Sequence, residues 1–157
     1  SELKKMNCLE KLSLRKLRIN DNIFLDFLSN SKIQNIIKLD LFDFVNLSDC
    51  SIKLIASKCY NLEYLDVSWS ANLTNEGLTI LLQECKRLRK LFLQGIKKID
   101  NNLLIKYLEY LKVKSIKSNL IFLDLLKCDY IDDKIINNVI HFIKTIKIIN
   151  YYGDELS

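Results

Sequence analysis

The chain has 157 residues, of which 49% are hydrophobic and 27% are charged, values that are ordinary for a single globular domain. The net charge of +5 is mild, and the basic residues are scattered apart from Lys86, Arg87, Arg89 and Lys90, so nucleic-acid binding is not expected. No apolar run approaches the roughly 18 residues that a membrane span requires, so membrane insertion is not expected either.

Six short strands are predicted in chain order from one recurring apolar pattern, Leu-x-x-Leu-x-Leu. The copies are Leu9, Leu12, Leu14; Ile36, Leu39, Leu41; Leu62, Leu65, Val67; Leu88, Leu91, Leu93; Leu120, Leu123, Leu125; and Ile146, Ile149, Tyr151. Their starting residues are 27, 26, 26, 32 and 26 positions apart. Recurrence in one register predicts a protein built from internal repeats.

A helix is predicted after each of the first five strands, because an aliphatic residue and then a side chain typical of a helix N-cap follow each strand. The predicted caps are Asn20, Ser48, Thr74, Asp100 and Asp132. An Asp or Asn comes directly after each cap, which suits the positive end of a helix dipole. The one longer spacing predicts a helix extension and a loop on the convex rim, between Lys112 and Ser118.

One strand, one turn and one helix cannot bury their apolar faces alone, whereas stacked units share a continuous core. The strands then form a parallel sheet on one side, and the helices line the other side. Because helices are wider than the strand spacing of about 4.8 Å, the stack bends into an arc. We therefore expect one α/β solenoid domain over residues 1–157, with about five to six repeats, a curved parallel sheet on the concave face and helices on the convex face.

The stretch CYNLEYLDVSWSANLTNEGLTILLQEC, from Cys59 to Cys85, resembles the repeat of the cysteine-containing subclass of leucine-rich repeat proteins. The resemblance includes the Leu-Asp-Val-Ser strand and the Leu-Thr-Asn-Glu-Gly-Leu helix start, and it extends from about residue 6 to residue 152. It implies the same solenoid fold. The sequence departs from the family where the cysteine before the triplet is replaced by Met6, Ile33, Lys117 and Ile143.

Many proteins of this subclass are F-box proteins, the substrate receptors of cullin–RING ubiquitin ligases, in which the repeats recognise the substrate. The resemblance therefore implies a module that binds another protein, like the substrate-recognition half of such a receptor. We recognise no helical F-box module before Leu9, and since the chain begins with Ser rather than Met, we expect it to be a piece of a longer protein. The same repeats also form stand-alone scaffolds and assembly factors unrelated to ubiquitin, some of them mitochondrial, and this alternative stays open.

Five cysteines lie at positions 8, 50, 59, 85 and 128, and the odd number and the absence of Cys-x-x-Cys argue against a disulfide framework and a zinc site. Buried reduced thiols are expected instead, with Cys59 and Cys85 as neighbours one repeat apart. Such thiols are typical of an intracellular protein, so we expect a cytoplasmic or nuclear location, or a mitochondrial one under the scaffold alternative. No metal and no cofactor is expected.

The candidate binding surface is the concave face, because the residues between the leucines of each triplet point away from the core. Large aromatic side chains are predicted to face solvent there, with Tyr64, Trp69 and Phe92 in one cluster, and such side chains are typical of interfaces. Carboxylates at one shared strand position could meet a basic or amide-rich partner, or they could satisfy neighbouring groups of the chain itself. The predicted partner-binding residues are Phe42, Tyr64, Trp69, Phe92, Phe122, Asp40, Asp66 and Asp124.

No enzyme site can be assembled from the sequence. His141 is the only histidine, and we interpret it as a surface residue of the last predicted helix. Nucleophile-elbow and phosphate-loop glycines are absent. Carboxylates on an open sheet also lack the burial that general acid–base catalysis requires. We therefore expect neither an enzymatic activity nor a small-molecule substrate.

Overall fold

The computed structural model of the chain describes residues 9–157, so the expectations for Met6 and Cys8 fall outside the described residues. Within this range, short strands alternate with helices. The strands are β1 (Lys11–Ser13), β2 (Lys38–Asp40), β3 (Tyr64–Asp66), β4 (Lys90–Phe92), β5 (Phe122–Asp124), β6 (Lys147–Ile149) and β7 (Glu155–Leu156). The helices are α1 (Asp21–Asn30), α2 (Asp49–Lys58), α3 (Asn75–Glu84), α4 (Asn101–Lys114) and α5 (Asp133–Phe142).

The strands form one sheet in which each strand is hydrogen-bonded to the next strand along the chain. The first six are parallel, and their central residues are aligned in one row. These residues are Leu12, Leu39, Leu65, Leu91, Leu123 and Ile148. Each repeat therefore stacks on the previous one, and the predicted leucine-rich-repeat solenoid is confirmed.

The hydrophobic core lies between the sheet and the helices. In the third repeat, Leu65 and Val67 from the strand region, Leu73 from the turn, and Leu78 and Leu81 from α3 are all fully buried. Equivalent side chains of the other repeats extend this cluster along the solenoid. None of the helices in residues 9–157 packs on the opposite face of the sheet, which is the concave face.

The sixth repeat differs from the prediction by one residue. The apolar pattern placed Ile146, Ile149 and Tyr151 in the core, but the aligned residue of β6 is Ile148, which is fully buried. The polar Asn150 takes the third core position, and its buried side-chain oxygen accepts hydrogen bonds from three backbone N–H groups of the following turn. That turn leads into β7, an antiparallel strand that was not predicted. A polar residue at a core position therefore displaced the predicted register.

The predicted helix extension and loop in the fourth repeat are confirmed. Helix α4 has 14 residues, whereas each of the other four described helices has 10. Its C-cap, Ser115, adopts the left-handed conformation with φ +52°. The loop that follows is attached to the helix by a 2.7 Å hydrogen bond between the hydroxyl groups of Tyr107 and Ser118.

The predicted helix caps are confirmed, because each cap side chain accepts a hydrogen bond from a backbone N–H in the first turn of its helix. The Asp or Asn after each of the first four caps also contacts the cap of the next helix. The pairs are Asp21 with Ser48, Asp49 with Thr74, Asn75 with Asp100, and Asn101 with Asp132. This series of contacts, the cap ladder, joins the N-termini of successive helices.

The cysteines are only partly as expected. Cys59, Cys85 and Cys128 are buried and free, and burial raises the pKa of each thiol to about 12. Cys59 also contributes to the raised pKa of Cys85, as expected for neighbouring thiols. The expectation of burial is wrong for Cys50, which is free but exposed because it lies in the first turn of α2, on the solvent side.

Candidate partner-binding surface

Side chains at equivalent strand positions form rows across the concave face, with successive members about 4.8 Å apart along the backbone. The first row contains the first residue of each parallel strand: Lys11, Lys38, Tyr64, Lys90, Phe122 and Lys147. The second row contains the third residue: Ser13, Asp40, Asp66, Phe92, Asp124 and Ile149. Because side chains alternate between the faces of a sheet, both rows point away from the helices. The first five strands have the predicted members, whereas the shifted register of β6 places Lys147 and Ile149 in the rows.

Three of the predicted aromatic residues form a continuous strip across the middle of the concave face. The ring centroids of Tyr64 and Phe92 are 5.0 Å apart, and those of Phe92 and Phe122 are 5.2 Å apart. These separations are typical of favourable aromatic pairs, worth about 0.5–1.5 kcal/mol each. All three side chains are half-buried, so one side of the strip remains accessible to solvent. Tyr64, Phe92 and Phe122 together are the aromatic strip.

Phe42 lies on the same face but is covered by a cation. The guanidinium carbon of Arg15 lies 4.3 Å from the centroid of the Phe42 ring, and the same guanidinium donates a 2.9 Å hydrogen bond to Asp40. Lys38 similarly places its ammonium group 4.3 Å from the ring centroid of Tyr64. The sequence analysis did not assign Arg15 or Lys38 to the site, although Lys38 begins β2 and Arg15 follows β1.

Trp69 is 41% exposed, as predicted, but it does not join the aromatic strip. It lies in the turn after β3 in a left-handed conformation with φ +62°, and its ring packs on the backbone of Gly95, where a Cβ atom would overlap it. Within the described range, Trp69 makes no ring contact with Tyr64 or Phe92. The expected cluster of three residues is therefore wrong, because the turn directs the indole toward the next repeat.

The three carboxylates are not presented to solvent, which corrects the sequence-based expectation. Asp40, Asp66 and Asp124 are only 8%, 6% and 5% exposed. Each accepts a hydrogen bond from the backbone N–H two residues later, over distances of 3.2, 3.0 and 3.0 Å respectively. These contacts stabilise the turn that ends each strand, so the alternative in which the carboxylates satisfy groups of the chain itself is confirmed.

The second carboxylate oxygens of Asp40 and Asp124 are also engaged within the chain. Asp40 pairs with Arg15, and Asp124 accepts a 2.6 Å hydrogen bond from the side-chain amide of Gln94. Burial raises the pKa of Asp66, although hydrogen bonds from Ser68 act in the opposite direction. The second row therefore offers little free negative charge to a partner.

The exposed charge on this face is positive instead. The lysines of the first row are all exposed: Lys11, Lys38, Lys90 and Lys147. Lys147 forms an ion pair with Glu155 of β7, and Lys38 lies over Tyr64. The surface is thus an apolar strip within a row of cations, where the sequence analysis had expected an apolar strip beside anions.

The basic cluster that stood out in the sequence does not form a continuous free patch. Arg87 donates to the side chain of Asn61, and Arg89 lies 3.9 Å from the carboxylate of Glu63. Lys86 contacts the hydroxyl of Tyr110, and Lys97, which follows the cluster in the sequence, pairs with Asp129 at 2.9 Å. Most of these charges thus have partners within the chain.

Residues 9–157 bring together no group of three or more His, Cys, Asp or Glu side chains that could hold a metal ion. His141 is exposed on α5 and distant in sequence from the aromatic strip.

Comparison with known proteins gives a structural match. No protein-family model matches the chain, and no curated protein sequence matches it. A chain in the crystal structure of the Rad7 and Elc1 complex in yeast is similar over 93% of this chain, with a TM-score of 0.75 and 20% sequence identity. This chain covers 33% of the length of that chain. At such low identity, the match supports the repeat fold alone.

In the part of the chain that the structure describes, none of the helices is both long and apolar enough to cross a membrane.

Proposed function

We propose that the chain is a protein-interaction module that binds a partner protein on its concave face. The observation that carries the proposal is the aromatic strip, because three rings in mutual contact on a sheet form the kind of apolar centre in which binding energy concentrates. The strands hold these rings in place before binding, so association loses little conformational entropy.

The charges around the strip favour a partner with an apolar centre and acidic side chains around it. Lys38 and Lys90 flank Tyr64 in the first row, while the neighbouring carboxylates are hydrogen-bonded within the chain. In this proposal Phe42 and Trp69 extend the contact beyond the strip. Asp40, Asp66 and Asp124 support the surface by holding its turns, and they do not contact the partner through free charge.

The role of a substrate-recognition module in an F-box ubiquitin-ligase receptor is the more specific form of the proposal, and it rests on the family resemblance. The alternative is a stand-alone scaffold or assembly factor. An F-box encoded upstream of Ser1 in the full gene would favour the receptor, whereas a targeting peptide there would favour the scaffold. The receptor would act in the cytoplasm or nucleus, and the scaffold could also be mitochondrial.

The first experiment is affinity purification from the native cell, followed by mass spectrometry and reconstitution of binding with the purified partner. Tyr64→Ala and Phe92→Ala are expected to weaken binding by about 2 kcal/mol or more, as at other interface centres. Tyr60→Ala is the matched control, because Tyr60 is an exposed tyrosine in the turn between α2 and β3.

Thermal melting of each variant separates binding from folding. Tyr64→Ala should remain folded, whereas Leu65→Ala, which removes a buried core side chain, should lose about 2–5 kcal/mol of stability. If folded Tyr64→Ala and Phe92→Ala proteins bind the partner as tightly as the parent does, the aromatic strip is not the binding site and the proposal is wrong.

A further inference from the structure

A groove on the convex side lies between helices α4 and α5. Ile105 and Leu108 of α4 face Ile135 and Phe142 of α5 across it, and its volume is about 440 Å³. Ile105, Leu108 and Lys112 are three and four residues apart, which places them on one face of α4. Ile135 and Phe142 are seven residues apart, or about two turns, and so share one face of α5. The two helices therefore contribute parallel stripes of side chains to one groove.

The groove continues past Phe142 into a second depression of about 360 Å³ beside the loop after α4. Ile116, Lys117 and Lys144 line this continuation. It exists because α4 is one turn longer than the other described helices, so the end of α4 and its loop project beyond the regular stack. The repeat that contains α4 is 32 residues long, about six more than each of the other described repeats.

Large apolar side chains in and beside the groove are left exposed by the described residues. Ile105, Ile116 and Phe142 are all exposed, and Val113 at the end of α4 is 81% exposed. Ile105, Phe142 and, from the loop after α4, Ile116 line the groove together, and three such side chains form a patch, whereas single exposed apolar residues are ordinary. Such a patch is typical of a surface that binds another protein.

The rim of the groove is mainly positive. Lys112, Lys117 and Lys144 line it, against a single carboxylate, Glu109. Lys112 lies 5.5 Å from the ring centroid of Phe142, so a cation is held beside the most exposed aromatic group of the groove. A ligand that fills the groove therefore meets apolar side chains on the floor and ammonium groups at the edge.

We propose that this convex groove is a second protein-binding site, which takes an acidic amphipathic helix from a partner. Aliphatic or aromatic side chains of that helix would contact Ile105, Leu108 and Phe142, and its Asp or Glu residues would lie beside Lys112 and Lys144. Recognition of an amphipathic helix by a groove between helices is a common mode of protein binding. The site is independent of the concave face, since the helices and the aromatic strip lie on opposite sides of the sheet.

An anionic membrane surface would also meet lysines and apolar side chains, but the shape of the site favours a helix. The apolar residues Leu108 and Ile135 lie on the floor of a recess between two helices. A single row of projecting side chains can enter such a recess, whereas a flat lipid surface cannot reach its floor. Membrane binding is therefore tested as the competing outcome.

The probe is a phage-displayed library of amphipathic helical peptides that carry either Glu or Lys at the positions flanking the apolar face. The chain is expected to enrich the Glu set, and a peptide from this set should bind in fluorescence anisotropy. Phe142→Ala should lower the affinity for that peptide by about tenfold or more. Phe27→Ala on α1 is the matched control, because Phe27 and Phe142 are both 41% exposed. Thermal melting verifies that each variant is folded.

Two further variants test whether the lysines select the peptide charge and whether the peptide binds on the convex side. Lys112→Glu combined with Lys144→Glu should reverse the preference and favour peptides of the Lys set. Tyr64→Ala combined with Phe92→Ala should leave peptide binding unchanged, because those residues lie on the concave face. The proposal is overturned if neither set is enriched, if Phe27→Ala weakens binding as much as Phe142→Ala does, or if the chain binds phosphatidylserine vesicles through Phe142 and binds no helix.

Discussion

The hydroxyl group of Thr74 donates a 2.5 Å hydrogen bond to the carboxylate of Asp49, which is the first residue of the helix one repeat earlier. The other oxygen of Asp49 accepts from the backbone N–H of Thr74 at 3.0 Å. The Thr74 hydroxyl also accepts from the backbone N–H of Glu76 and so caps its own helix. One side chain therefore caps the start of a helix and joins that helix to its neighbour.

The cap ladder uses two kinds of pair with complementary chemistry. Where the cap is a hydroxyl, as in Ser48 and Thr74, the preceding helix supplies an Asp that accepts the hydroxyl proton. Where the cap is a carboxylate, as in Asp100, the preceding helix supplies Asn75, whose amide donates at 2.7 Å. A carboxylate cannot donate a hydrogen bond at neutral pH, so the residue types of the two partners are linked.

The first prediction concerns Thr74. Thr74→Ala removes both the cap and the donor to Asp49, so it is expected to lower the free energy of unfolding by about 2 kcal/mol. Thr74→Ser keeps the hydroxyl and should lower the free energy of unfolding much less. Urea unfolding of the variants measures both effects.

Thr79 provides the control for this prediction, because its buried hydroxyl has no hydrogen-bond partner in the described part of the structure. Thr79→Val should be neutral or slightly stabilising, since no bond is lost and a buried polar atom is removed. If Thr74→Ala is no more destabilising than Thr79→Val, the double role of Thr74 is wrong.

The second prediction concerns the pair Asn75 and Asp100. Asn75→Asp would place two carboxylates side by side and is expected to cost about 1–3 kcal/mol at neutral pH. The pair should then hold a proton in the folded state, so the loss should diminish as the pH falls toward the carboxylate range. Asn75→Asp combined with Asp100→Thr restores a pair of the other kind and should recover most of the stability.

Asp49→Asn is the matched control for Asn75→Asp. The Thr74 hydroxyl can accept as well as donate, so this change should cost less than about 1 kcal/mol. Chemical unfolding of the single and double variants gives the coupling energy between the two positions. A coupling energy near zero for Asn75 and Asp100 would show that this pair of the cap ladder contributes nothing to stability.

The sequence predicted the features that depend on local spacing. The caps and the strand register were correct because N-caps and apolar triplets recur at fixed distances along the chain. The contact between Asp49 and Thr74 was not predicted, because it depends on how two helices are placed side by side. The first-repeat and middle-repeat strands were aligned correctly, whereas β6 was shifted because the polar Asn150 occupies a core position.

The candidate site was predicted less completely, for two physical reasons. Alternation along a strand shows which face a side chain occupies, but it does not show how far neighbouring groups cover it. Asp66 lies on the predicted face and is nevertheless buried. The direction of Trp69 depends on a left-handed turn, and the only sequence signal for that turn was the glycine at the equivalent position, Gly95.

The third prediction concerns the thiols. Cys50 should react rapidly with a thiol reagent at pH 8, whereas Cys59, Cys85 and Cys128 should react only when the protein opens, because they are buried and their pKa values are raised to about 12. Mass spectrometry of labelled peptides distinguishes these sites. Fast labelling of Cys59 in the folded state would contradict its placement in the core.

The same raised pKa values predict a dependence of stability on pH. The folded state retains thiol protons that the unfolded state loses above its ordinary pKa of 9.0. The stability from these groups is therefore fully present below pH 9.0 and is lost as the pH rises toward about 12. Replacement of Cys59 by Ala should make the slope of unfolding free energy between pH 9 and pH 11 less steep, by comparison with the parent protein.

The last prediction concerns Asp66, whose pKa is raised by burial. Asp66→Asn keeps the oxygen that accepts from the N–H of Ser68 and removes a poorly solvated charge. Asn150 shows that an amide oxygen can accept the same kind of hydrogen bond, since it accepts from the N–H of Tyr152, two residues later, at 3.0 Å. The variant should therefore be at least as stable as the parent at pH 7, when unfolding by urea is measured.

The advantage of Asp66→Asn should decrease under acid conditions, because a group with a raised folded-state pKa stabilises the parent as it becomes protonated. The free energy of unfolding of the parent should therefore increase relative to that of the variant as the pH falls from 7 through the folded-state pKa toward the ordinary value of 3.8. Asp40→Asn is the contrasting variant, since it weakens the ion pair with Arg15 and should not be stabilising at pH 7. If Asp66→Asn instead abolishes partner binding while folding is unchanged, Asp66 contacts the partner through its charge, and the assignment of this carboxylate to the turn is wrong.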